Sequence, residues 1–128
     1  MDQSETELGE WTINYLPEEG GRYTGKLKVG ASELRFTSLY ESSNKTIIKA
    51  IFIDVATYAA SGGHLIYRYS TDKEAIVALP TKEISSVEAT KKGIMNRAEV
   101  TMRDGPTFIF NYGMLPVKKL VEAIRSVI

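Results

Sequence analysis

Residues 104–128 read DGPTFIFNYGMLPVKKLVEAIRSVI, and the periodicity changes within them. Asp104-Gly105 is turn chemistry. Thr107–Tyr112 then alternates, with Phe108 and Phe110 on one side, as a half-buried strand does. Beyond Pro116 the apolar residues fall at Val117, Leu120, Val121, Ile124, Val127 and Ile128, the spacing of a helix with one apolar stripe. Lys118, Lys119, Glu122 and Arg125 take its wet face. Pro116 suits a helix start, where its missing N–H costs nothing.

Upstream, period-two segments alternate with turn signals. Trp11–Leu16 is broken by Pro17-Glu18-Glu19-Gly20-Gly21. Arg22–Val29 sets Tyr23, Gly25, Leu27 and Val29 against Thr24, Lys26 and Lys28, and Glu33–Tyr40 sets Leu34, Phe36 and Tyr40 against Arg35 and Thr37. Thr46–Tyr58 is apolar on both faces. His64–Ser70, Glu74–Leu79, Ile84–Thr90 and Arg97–Arg103 complete seven or eight strands before the terminal helix, and Ile84 and Val87, three apart, suit a bulge. The expected class is mainly β with one C-terminal α-helix. A long open sheet leaves edges, so it should curl into a barrel or two packed sheets with the helix over the open end.

Composition narrows the function. The chain has 128 residues, 43% hydrophobic, enough for one domain with its own core. Without cysteine it is no disulfide scaffold, thiol enzyme or Cys-ligated zinc module. His64 is the only histidine, so a metal site would rest on carboxylates. No phosphate-binding glycine loop and no Gly-x-Ser-x-Gly occurs. Catalysis, a metal and a cofactor are therefore not expected. Residues 1–20 hold six acids and no base, net −6, while residues 21–128 hold all 16 bases and 10 acids, net +6. Residues 1–10 read as a flexible acidic tail and 11–128 as the domain. That start is unlike a secretory signal, so a cytoplasmic location is expected. A pI near 6.6 without a basic stripe argues against nucleic acid.

Three short motifs carry a resemblance. Gly25–Gly30 (GKLKVG) is followed after three residues by Leu34–Ser38 (LRFTS); Leu79-Pro80-Thr81-Lys82-Glu83-Ile84-Ser85-Ser86-Val87 comes next, and then Asp104–Phe110 (DGPTFIF). In this order, before a terminal helix, they resemble the pleckstrin-homology (PH) superfold and its GRAM and bacterial PH-like branch. The resemblance implies a seven-stranded antiparallel barrel or orthogonal sandwich capped by the helix, used as a non-catalytic binding module. Two departures bear on its ligand. The only tryptophan is Trp11, outside the helix, and Trp11–Leu16 carries no base while Glu18 and Glu19 occupy the following loop.

Two uses follow. The favoured one is protein–protein interaction or self-association. Tyr40, Tyr58, Tyr67 and Tyr69 are its contact candidates, since a tyrosine's apolar body and polar tip suit a groove. The Ile47–Val55 strand is apolar enough to pair with a second copy as a homodimer. The alternative is a peripheral membrane module binding anionic lipids or phosphoinositides. Its candidates are Arg22, Lys26 and Lys28 along the first hairpin, and Lys91 and Lys92, read as a loop with Gly93, together with Arg97 near Arg103. The competing reading of these bases is a solvated, solubilising surface.

Overall fold

The computed structural model describes residues 7–18, 20–38, 67–70 and 75–128. They form β1 (Glu7–Leu16), β2 (Tyr23–Gly30), β3 (Glu33–Ser38), β4 (Arg68–Ser70), β5 (Ala75–Pro80), a 3₁₀ turn (Thr81–Glu83), β6 (Ile84–Lys92), β7 (Met95–Met102), β8 (Thr107–Asn111) and α1 (Lys118–Arg125). The strands build one antiparallel sheet in the order β4-β5-β3-β2-β1-β8-β7-β6. The expected class, mainly β with one C-terminal helix, is what the structure shows. Residues 39–66, with the Thr46–Tyr58 segment, His64 and the proposed dimer strand Ile47–Val55, lie outside the described residues.

Alternation sets which side of each strand is dry. Leu27 and Val29 on β2, Leu34 and Phe36 on β3, Val100 and Met102 on β7, and Phe108 and Phe110 on β8 are all buried. Gly25 shares this face because β3 passes close to it. A Cβ there would lie 2.6 Å from Ser38 Cα, 2.8 Å from Phe36 Cζ and closer still to the Thr37 carbonyl oxygen. β1 begins at Glu7, inside the stretch read as tail. Glu10 lies opposite Lys28 there, so an acidic residue on the wet face supports the ladder rather than ending it. At the start of β6 the register shifts between Ile84 and Ser86, the irregularity that the Ile84/Val87 spacing suggested.

The sheet is folded over. β3 and β8 stand three strands apart, about 14 Å if the sheet were flat. Yet the rings of Phe36 and Phe110 are 6.0 Å apart, and Tyr15 packs against both, at 5.8 and 5.7 Å. Only a strongly bent sheet brings them together. It is not closed into a barrel: among the described residues β4 and β6 are edges. Instead α1 lies against β6 and β1, burying Leu120, Val121 and Ile124. Arg125 Nη2 donates to the Val87 carbonyl at 3.0 Å, occupying a backbone acceptor on the β6 edge.

Candidate binding surface

The first expected basic cluster lies on the outer face of β1-β2-β3. Lys26 and Lys28 project there, opposite Thr37 and Arg35 on β3, so Arg35 joins the set. A shallow cleft of about 360 Å³ runs between Glu10, Lys26, Lys28, Arg35, Thr37 and Ser38. Its charge is largely offset. Lys26 Nζ is 3.8 Å from Glu10 Oε2, and Arg35 Nε is 2.6 Å from Glu33 Oε2. Arg22 does not join it: it precedes β2, four residues before Lys26, roughly 13 Å along an extended chain.

The second cluster is split. Lys91 and Lys92 belong to β6 rather than to a loop, and the turn is Gly93-Ile94, with Gly93 at φ 63°. Side chains alternate across a strand pair, so Lys91, opposite Asn96, faces the side covered by α1, whereas Arg97, opposite Thr90, faces away. Arg97 lies in a separate groove with Leu16, Pro17, Glu18, Thr107 and Ile109, where its Nε is buried without a hydrogen-bond partner.

The tyrosine expectation changes too. Tyr67 is 4% exposed, packed edge-on against Phe108 at 5.9 Å, with its hydroxyl donating to Asp104 Oδ1. It is a core residue and offers no contact surface, because the folded sheet lays it over the opposite strands. Burial first, then the hydrogen bond and charge of Asp104, push its hydroxyl above the ordinary phenol range. Tyr40, Tyr58 and the side chain of Tyr69 lie outside the described residues.

A surface not anticipated from sequence forms at one end of the molecule. Backbone bonds clasp the β6–β7 turn to the β8–α1 loop: Asn96 N donates to Gly113 O at 2.7 Å and Tyr112 N to Asn96 O at 2.9 Å. The Asn96 side chain adds two more, Nδ2 donating to Met114 O at 3.2 Å and to Leu115 O at 3.0 Å. Of six exposed large apolar side chains among the described residues, four collect here: Ile94 (69% exposed), Met95 (39%), Met114 (73%) and Leu115 (56%). Lys91 and Lys92 close β6 beside them, and Lys118 and Lys119 open α1. Neither residues 89–98 nor 112–121 contain an acid. Two sequence signals could have pointed to it: an isoleucine at the apex of a two-residue turn, and Met-Leu-Pro in a loop.

Next to this end is an apolar cleft. β1 pairs with β8 only over Asn14–Leu16, so the two strands separate towards Glu7. Trp11, Tyr112, Leu115, Pro116, Lys118 and Lys119 line a cleft of about 400 Å³. The Trp11 ring lies across Gly9, where a Cβ would come within 2.6 Å of its Cη2.

Among the described residues, no three His, Asp or Glu side chains converge as metal ligands, and no helix is long and apolar enough to cross a membrane. No family model and no curated protein matches the sequence. Among solved structures, the chain is similar to the C-terminal domain of an unknown protein from Leishmania infantum. The two are 18% identical over 96% of this chain and 84% of that one, with a TM-score of 0.61. At that identity the likeness shows the fold alone.

Proposed function

We propose that this chain is a non-catalytic binding module that docks peripherally on anionic membrane surfaces, in a cytoplasmic setting, through the end formed by the β6–β7 turn and the β8–α1 loop. One observation carries this reading: Ile94, Met95, Met114 and Leu115 stand exposed at one end of the molecule, where Lys91 and Lys92 close β6, Lys118 and Lys119 open α1, and Glu122 shares a cleft with Lys91 and Lys118. A contiguous apolar patch with a charged rim marks an interaction site. Here the rim is mainly basic, with Glu122 beside Lys91 and Lys118. Each lysine near an anionic leaflet adds about 1 kcal/mol, so four add at most about 4 kcal/mol, roughly three decades in partitioning. Apolar insertion adds about 0.8 kcal/mol for each methylene buried.

Kinship with the PH/GRAM group belongs to the same proposal. The strand order, the folded-over sheet and the terminal helix support it, and the outer-face bases Lys26 and Lys28 then play a lesser part because Glu10 and Glu33 offset their surroundings. A protein partner, or a second copy of the chain, is the other occupant that this end suits. Co-sedimentation decides between them. The protein should pellet with phosphatidylcholine vesicles containing phosphatidylserine and not with phosphatidylcholine alone, and Ile94→Asp/Met114→Asp should abolish this. A protein that stays in the supernatant with both vesicles, while light scattering gives a mass above 14.2 kDa, overturns the membrane reading in favour of self-association.

A further inference from the structure

We propose that the cleft between Trp11, Tyr112, Leu115 and Pro116 takes the hydrocarbon chain of an anionic amphiphile, with the phosphate or carboxylate head held by Lys118 and Lys119. This deepens the membrane reading, on which it rests, by adding a seat for one lipid molecule beside the surface that touches the bilayer.

Three features select this ligand class. The walls are aromatic and aliphatic, and the volume of about 400 Å³ falls within the range of roughly 300–1,000 Å³ usual for small-molecule clefts. The loop along the cleft has little main chain to offer an extended peptide. Tyr112 N, Gly113 N and Leu115 N already donate to Asn96 O, Asn111 Oδ1 and Tyr112 O, and Pro116 has no N–H. On this loop side recognition rests on side chains, as a hydrocarbon chain requires. The third feature is charge. Among the described residues neither Lys118 nor Lys119 has an ion pair, and the first turn of α1 contains no acid. Two lysines at a helix N-terminus oppose the helix dipole, and an anionic head beside them offsets that repulsion.

Trp11 is the only tryptophan in the chain, so its fluorescence reports on this cleft alone. The purified protein is titrated with monomeric decyl phosphate, with decanol and inorganic phosphate as the chain-only and head-only probes. Decyl phosphate should give a saturable change, with decanol at least about tenfold weaker and phosphate silent. Lys118→Glu/Lys119→Glu should weaken decyl phosphate at least about tenfold while leaving the melting curve cooperative. Gly9→Val, which displaces the Trp11 ring, should weaken decanol and decyl phosphate alike. The parallel arm uses phosphatidylserine vesicles, which distinguish a lipid drawn from a bilayer from a free amphiphile. If vesicles bind but decyl phosphate gives no saturable change, or the lysine variant binds it unaltered, the cleft assignment falls and the membrane reading stands. If decyl phosphate binds as described but no vesicle does, the cleft is a site for free amphiphiles and the membrane reading falls.

Discussion

The Tyr67 hydroxyl donates a 2.9 Å hydrogen bond to Asp104 Oδ1 across 37 residues of chain. Tyr67 leads into β4, an edge of the sheet, and Asp104 lies in the turn between β7 and β8. β4 and β8 are five strands apart, about 24 Å if flat, so this bond forms only once the sheet has folded over. It joins the two halves where no ladder does.

Tyr67→Phe should therefore cost about 1 kcal/mol at neutral pH, since exposed Asp104 can turn to water once its donor is gone. Its pH dependence has a definite sign. The folded hydroxyl is held above the ordinary value near 10, so it keeps its proton while the unfolded chain loses one. That contribution is complete below about pH 10 and is lost as pH rises towards the folded value. Melting temperatures taken from about pH 8 to about pH 11 should fall more steeply for the wild type than for Tyr67→Phe. Parallel slopes would show that burial and Asp104 together do not hold the Tyr67 hydroxyl above its ordinary value.

Gly25→Ala should destabilise by about 1–3 kcal/mol, read as a lower urea midpoint with unchanged slope. The added methyl meets β3 backbone at Ser38 Cα and the Thr37 carbonyl, which cannot rotate away as a side chain would. An unchanged midpoint would mean that β2 and β3 are further apart than described.

Asn96→Ala tests whether the loop clasp matters for docking. It removes both side-chain bonds to Met114 O and Leu115 O without altering charge or apolar area at the tip. The expected result is a stability loss of about 1 kcal/mol, together with weaker vesicle co-sedimentation. Full binding after this change would show that docking does not need these side-chain bonds and that the backbone bonds of residue 96 suffice.

Charge reversals should separate the two basic faces. Lys91→Glu/Lys92→Glu should abolish binding to phosphatidylserine vesicles at moderate salt. Lys26→Glu/Lys28→Glu should reduce it by less than about tenfold, since those bases stand at the other hairpin beside Glu10 and Glu33. The reverse ranking would move the membrane contact to the β1-β2-β3 face.

Individual residues show what was legible. Period two alone puts Leu27, Leu34, Phe36, Phe108 and Phe110 on the dry face, and all are buried. The helix was legible from Val117, Leu120, Val121 and Ile124. Lys91 and Arg97 are near in sequence, but β6 and β7 point them to opposite faces. Tyr67 reads as a contact candidate from its apolar body and polar tip, but residues about 40 positions later cover it.

Local alternation and helical spacing were sufficient to specify strands, helix and inward-facing residues, since each depends on neighbours within a few positions. The bend of the sheet, the burial of Tyr67 and the bonding of Asn96 to the loop of Met114 and Leu115 belong to the tertiary structure. They arise from contacts between segments 18 or more residues apart, Asn96 to Met114 and Tyr67 to Asp104, and no local period encodes such a distance. The candidate surface is hidden for the same reason: its apolar residues and its lysines come from the end of the β6–β7 hairpin and the β8–α1 junction, which only the formed sheet brings side by side.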